Sequence, residues 1–296
     1  MNLSQINIRD PFILTYDNRY YMYGTRGDNC WGECNGFDAY VSDDLVSWSE
    51  AIEVFHKPEG FWADRNYWAP EVHGYQGKFY AFISFKSPTH CRGTQILIAD
   101  SPLGPFRIHS DGPVTPSDWE CLDGTFYVDE AGAPYMVFCH EWVQVGDGEM
   151  CLIKLTSDLK SAASEPVVLF HASEPSWASY AKENIKSYVT DGPYLYKPTG
   201  NSSENTPLIM LWASFSKDGY AEAIAISDSG NIEGPWRHAP ELLYTKDGGH
   251  GMIFRAYDGT LYLTLHTPNQ TRLERPVFIP LIERDHMIYV SNSNES

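Results

Sequence analysis

The chain of 296 residues carries 39 Asp and Glu against 21 Lys and Arg, a formal net charge of −18 with a pI near 4.8. A surface this acidic repels phosphate backbones and anionic headgroups, so it argues against nucleic-acid and membrane partners and suits a neutral ligand. No apolar run reaches the roughly 18 residues of a spanning helix. The six cysteines make no disulfide framework, and Cys30 and Cys34 have metal-like spacing without the second pair a zinc site needs.

Taken in order, the chain reads as short strands separated by Gly, Pro, Asn and Asp. Asp10-Pro11-Phe12-Ile13-Leu14 leads through a turn at Asp17-Asn18 to an apolar run over 20–25, then to strands over 37–42 and 52–55. Trp68-Ala69-Pro70-Glu71-Val72 leads through Gln76-Gly77 to 79–84, then to 94–99, a turn over 102–106 and a short edge. Leu122-Asp123-Gly124-Thr125-Phe126 is followed by runs over 135–140, 150–155 and 166–170. A helix is expected over 176–186. Thr190-Asp191-Gly192-Pro193-Tyr194 leads through a polar loop to 208–212, 221–226 and 234–236. Gly249-His250-Gly251-Met252 opens a last unit with runs over 261–266, 276–281 and 287–290, before a polar tail over 291–296 that is expected to fray.

The unit therefore occurs five times. Its key positions read Asp10, Ala69, Asp123, Asp191 and His250, at offsets of 59, 54, 68 and 59 residues. A period of this size built from four short strands predicts an all-β fold, a five-bladed β-propeller, spanning residues 1–296 as one domain without an internal linker. In such a ring the innermost strand of each blade faces one channel. Three carboxylates and a histidine from distant parts of the chain are then expected on one rim. The second strand of each unit returns to that rim, which adds His140-Glu141-Trp142.

With these motifs in place, the chain resembles glycoside hydrolase family 43 over nearly its whole length. The motifs that carry the likeness are Arg9-Asp10-Pro11-Phe12, Trp68-Ala69-Pro70-Glu71-Val72, Asp123-Gly124-Thr125-Phe126 and Gly249-His250-Gly251. The resemblance implies a five-bladed propeller that cleaves arabinose- or xylose-containing glycans with inversion. It implies Asp10 as general base, Asp123 as the residue that tunes and orients the acid, and no cofactor for the chemistry. His250 would then lie near a channel water or a bound cation, calcium being the candidate. Where the family has Glu-Gly-Pro for the general acid, this chain has Asp191-Gly192-Pro193. Aspartate reaches about 1 Å less far, and a misplacement of that size can cost about 10²-fold in rate. Asp191 and Glu141 are therefore rival donors, with Glu71 a more distant one.

Inverting hydrolysis places acid and base on opposite faces of the sugar with a water between them. The acid must hold its proton near neutrality, which a neighbouring carboxylate and apolar walls favour. Trp68, Trp142 and Phe85 are the expected sugar contacts, and Arg275 resembles a last-blade arginine that bonds sugar hydroxyls. Plainer readings compete: an Asp before Gly or Pro is ordinarily a turn residue, and Arg275 could be an edge-strand charge. His140-Glu141-Trp142-Val143-Gln144 has Gln where the zinc-protease helix motif has its second His, in an expected strand context. The leading expectation is exo-acting removal of α-L-arabinofuranosyl or β-D-xylosyl units from plant polysaccharides. The alternatives are an endo-acting xylanase or arabinanase, or a carbohydrate-binding propeller without hydrolysis. Met1-Asn2-Leu3-Ser4-Gln5 lacks a signal peptide, so the chain reads as cytoplasmic, or as periplasmic or secreted if a leader has been removed.

Overall fold

The structure, a computed structural model, describes residues 1–181, 185–199 and 206–291. Five four-stranded antiparallel sheets follow one another along the chain. Blade one comprises β1 (Ile8–Tyr16), β2 (Arg19–Arg26), β3 (Gly36–Ser42) and β4 (Ile52–His56). Blade two comprises β5 (Arg65–Tyr75), β6 (Lys78–Ser87), β7 (His90–Ala99) and β8 (Arg107–Ile108). Blade three comprises β9 (Cys121–Val128), β10 (Pro134–His140), β11 (Glu149–Lys154) and β12 (Val167–His171). Blade four comprises β13 (Asp191–Tyr196), β14 (Leu208–Ser216), β15 (Gly219–Ser227) and β16 (Trp236–His238). Blade five comprises β17 (Gly249–Arg255), β18 (Leu261–Thr267), β19 (Arg275–Arg284) and β20 (Met287–Val290).

The innermost strands touch in a closed cycle, β1 on β5, β5 on β9, β9 on β13, β13 on β17 and β17 on β1, which makes the ring a five-bladed propeller. Middle strands are covered on both faces by neighbouring blades, so they read as near-continuous apolar runs; in β14 all but one position is buried. Outer strands face water: in Val167–His171 only Phe170 is buried, and Val167 and Val168 are exposed. Among the described residues no strand is exchanged to close the ring. Side chains join the ends instead: Asn7 Nδ2 donates to the Glu274 carbonyl at 2.9 Å, and Arg9 Nη1 meets Glu274 Oε1 at 2.8 Å with the Glu274 side chain fully buried.

The expected helix over 176–186 is corrected. Among the described residues of that span the chain turns. Ala178 bridges to Ser216, and the Ser179 amide donates to the Phe215 carbonyl at 2.8 Å, so the end of β14 takes the backbone bonds that a helix would have made internally. A four-residue helix, α1 (Trp142–Val145), stands instead after Glu141, where a strand context was expected. Of the tail expected to fray, only Ser291 lies within the described residues.

Candidate active site

Each inner strand carries a two-residue bulge at the same place, between Arg9 and Phe12, Trp68 and Glu71, Leu122 and Thr125, Asp191 and Tyr194, and Gly249 and Met252, and β5 has a second break between Arg65 and Trp68. The first residue of every bulge is left-handed: Asp10 (φ 54°), Ala69 (48°), Asp123 (57°), Gly192 (50°) and His250 (55°). Asp and His are among the few L residues enriched there, and Gly adopts it freely. The bulges re-aim side chains toward the channel mouth, as bulges beside active sites commonly do. This corrects the repeat alignment in blade four. Gly192, not Asp191, is the counterpart of Asp10, and Asp191 stands one place earlier with Arg9, Trp68, Leu122 and Gly249.

Each bulge would bury an unpaired amide, and in each the preceding blade supplies the acceptor. Thr25 Oγ1 accepts from Ala69 at 2.8 Å and Ser84 Oγ from Asp123 at 2.9 Å. Asp123 Oδ2 accepts from Gly192 at 3.0 Å, Glu222 Oε2 from Gly251 at 2.9 Å, and His266 Nδ1 from Asp10 at 3.2 Å. The rim is thus preorganised by five interblade hydrogen bonds.

Asp10, Asp123, Asp191, Glu141, Trp68, Trp142 and His250 all line one pocket of about 470 Å³ at this mouth. His250 Nδ1 lies 3.3 Å from Asp10 Oδ1 and 3.6 Å from Asp123 Oδ2. Asp10 Oδ2 also accepts from Thr25 Oγ1 at 2.6 Å. Burial pushes the Asp10 carboxyl up, but His250, His266, Arg9 and the Thr25 hydrogen bond outweigh it and hold it below the ordinary carboxylate range. Asp123 and Asp191 move the other way: burial, reinforced by the charge of Asp10 on the first and of Asp123 on the second, pushes both well above that range. Carboxyls driven apart in this way can serve as acid and base at one pH.

Glu141 is buried against the Arg92 guanidinium, which lies 4.0 Å over the Trp68 ring. Burial pushes the Glu141 carboxyl up and Arg92 pulls it back. Glu71 is paired with His73 Nε2 at 2.9 Å. Two expected sugar contacts are misplaced. Phe85 is fully buried among Phe55, Phe61, Trp62 and Tyr67, because its neighbour Ser84 faces the bulge and successive strand residues point to opposite faces. Arg275 spends its guanidinium on the carbonyls of Ser4, Arg272 and Glu274 and does not line the pocket. Arg9 lines it instead, with Nη2 2.8 Å from Asn269 Oδ1.

Calcium takes six to eight oxygen ligands. His250 offers nitrogen and has Nδ1 against two carboxylates, and among the described residues no group of three or more His, Cys, Asp or Glu is arranged to hold a metal ion. Among the described residues these side chains do not by themselves form a calcium cage.

Sequence reasoning missed Tyr220, whose hydroxyl donates to Asp191 Oδ2 at 3.0 Å, and the fully buried Glu222. Burial drives Glu222 from 4.5 to about 8, against the pull of the Gly251 amide. A carboxyl raised by folding stabilises the fold fully below its unfolded pKa, and that contribution fades as pH rises to the folded value. The window is therefore 4.5 to about 8. Glu222→Gln keeps an acceptor for Gly251 without the charge. Relative to wild type it should gain on the order of 4 kcal/mol between pH 5 and pH 8.5, read by urea unfolding. Parallel stability profiles would count against this.

Ring and mouth together define a class, a propeller that gathers carboxyls of opposed protonation at one pocket. The chain belongs to glycosyl hydrolases family 43, whose family model matches residues 3–286, and it is a glycoside hydrolase. It is 38% identical, with a TM-score of 0.87, to the crystal structure of an endo-arabinase from Bacteroides thetaiotaomicron, covering 96% of this chain and 98% of that one. It is 24% identical over 302 residues to the extracellular exo-α-(1→5)-L-arabinofuranosidase ArbA of Cellvibrio japonicus, covering 88% of this chain and 79% of the relative. To the extracellular endo-α-(1→5)-L-arabinanase 1 of Bacillus subtilis it is 24% identical over 174 residues, about half of each chain.

Proposed function

We propose that the enzyme is an inverting, exo-acting glycosidase that removes terminal α-L-arabinofuranosyl units, with β-D-xylosyl as the second sugar, from plant polysaccharides. The observation that carries this is the opposed pull on two carboxyls at one pocket, Asp10 held down and Asp191 held up. Asp191 gives its proton to the glycosidic oxygen as the anomeric C–O bond breaks and its electron pair passes to that oxygen. Water attacks the anomeric carbon from the opposite face and loses its proton to Asp10. Burial, reinforced by Asp123, keeps Asp191 protonated, and Asp123 bonds the Gly192 amide beside it. The Arg92 pairing of Glu141 favours Asp191 as the donor.

Two features support exo cleavage. Trp31 Nε1 donates to Thr271 Oγ1 at 2.9 Å, latching the blade-one loop to blade five across the rim, and α1 stands on the opposite side with Trp142 in the pocket wall. The names of the relatives favour arabinose. An endo mode is the second reading, favoured by the endo-arabinase at 38% identity. Linear arabino-oligosaccharides labelled at the reducing end decide between them. Exo action releases arabinose from the first minutes while the label shortens one unit at a time. Early mid-chain products would establish the endo mode, and the NMR signal of the first-formed anomer tests inversion.

A further inference from the structure

We propose that Tyr220 is a positioning residue for proton transfer: its hydroxyl binds Oδ2 of Asp191, so that Oδ1 is the oxygen that hands the proton to the departing glycosidic oxygen. This rests on Asp191 being the donor.

The Tyr220 hydroxyl sits 3.0 Å from Asp191 Oδ2, and Tyr220 is almost fully buried while still lining the pocket. Its ring is fixed on three sides. It stacks on His266 at 5.8 Å and 26°, packs against Phe215 at 5.3 Å, and lies over Gly249, where a Cβ would come within 2.8 Å of Tyr220 Cε1. The glycine before His250 therefore makes room for the tyrosine that reaches the acid.

Other charged and titratable groups surround the pair. Asp123, His250, Asp10 and Glu222 act on Asp191, and Cys139 lies close by. Arg9, Asp10 and Glu222 act on Tyr220. Burial and Asp191 push the phenol well above its ordinary value, so it keeps its proton and remains a donor.

A phenol has one hydrogen to give, and here it is directed at Oδ2. Oδ2 accepts in both ionisation states, so the acidic proton of Asp191 resides on Oδ1. When Oδ1 releases it, the electron pair of the breaking C–O bond goes to the protonated oxygen and the negative charge falls on the carboxyl already holding the Tyr220 hydrogen bond. A hydrogen bond to a charged acceptor is stronger than one to a neutral acceptor. The interaction thus strengthens as charge develops, which is where binding accelerates a reaction. It also fixes one rotamer of a side chain a methylene shorter than glutamate.

The test compares wild type, Tyr220→Phe and Asp191→Asn on the methyl and 4-nitrophenyl glycosides of whichever of the two pentoses the enzyme hydrolyses. The methyl glycoside needs its leaving group protonated and the nitrophenyl glycoside barely does. Tyr220→Phe should lower kcat/KM on the methyl glycoside by about 10- to 100-fold, with less than about a threefold change on the nitrophenyl glycoside and an unchanged thermal melt. Asp191→Asn should show the same asymmetry, larger. Equal losses on both substrates for Tyr220→Phe, or no loss on either, overturn the role of Tyr220 while leaving Asp191 as donor. Absence of asymmetry in Asp191→Asn overturns the assignment of the donor, and this inference with it. If the phenylalanine variant does not fold, 3,5-difluorotyrosine at position 220 keeps the ring and gives a more acidic hydroxyl. Its methyl-to-nitrophenyl rate ratio must then differ from wild type, and an identical ratio overturns the proposal.

Discussion

Asp10→Asn should lower kcat by about 10²- to 10⁴-fold, the usual contribution of a positioned general base, and should do so equally for alkyl and aryl leaving groups. Asparagine has nearly the volume of aspartate and leaves the backbone amide on His266 Nδ1, while its side-chain oxygen can still accept from Thr25 Oγ1. The bulge should therefore survive, and the change falls on chemistry: an amide cannot take the proton of water, and His250 loses one of the two carboxylates it faces. The equal loss sets this variant apart from an acid variant, which spares good leaving groups. Initial rates on both glycosides measure it. A variant retaining more than about a tenth of wild-type kcat would remove Asp10 from the role of base, given the size of that contribution.

Gly192→Ala should be damaging for a different reason. The residue has a φ of 50°, and an added Cβ would lie 2.6 Å from His250 Cγ and 2.9 Å from its Cα. A left-handed alanine costs about 1–2 kcal/mol and overpacking about 1–3 kcal/mol more, so urea unfolding should show a loss of about 2–5 kcal/mol. The imidazole cannot stay where it is, between Asp10 and Asp123, and the Gly192 amide that bonds Asp123 moves with it. We expect kcat to fall by about 10²-fold, the scale of a 1 Å displacement at a reacting centre. Wild-type activity in the alanine variant would mean that the seat of His250 is irrelevant to hydrolysis.

The ring was legible because a propeller repeats its punctuation: an acidic, small or histidine residue before Gly or Pro, then two apolar runs. Asp10, Asp123 and His250 stood out because the left-handed bulge accepts few side chains, and Asp and His are among them. Blade four was misaligned by one residue for the same reason, since Gly192 satisfies the backbone requirement and frees Asp191 to occupy the preceding place. Tyr220 and Glu222 left no signal. They stand on β15, the third strand of the blade, and reach the rim only because Ala213 beside Asp191 and the glycines flanking His250 are small enough to let them through. Arg9 and Arg275 each precede a residue typical of rim motifs, and sequence cannot tell which guanidinium the carbonyls of Ser4 and Glu274 will claim. Phe85 was lost to strand parity, one residue past a rim position.

The ring is sewn shut at Asp10 itself. Asp10 and Arg9 precede, by 256 and 265 residues, the groups that hold them: His266, which receives the Asp10 amide, and Glu274, which pairs with Arg9. A growing polypeptide can therefore display its carboxylates long before it can cut anything. Birth of the catalyst coincides with the meeting of the first and last blades.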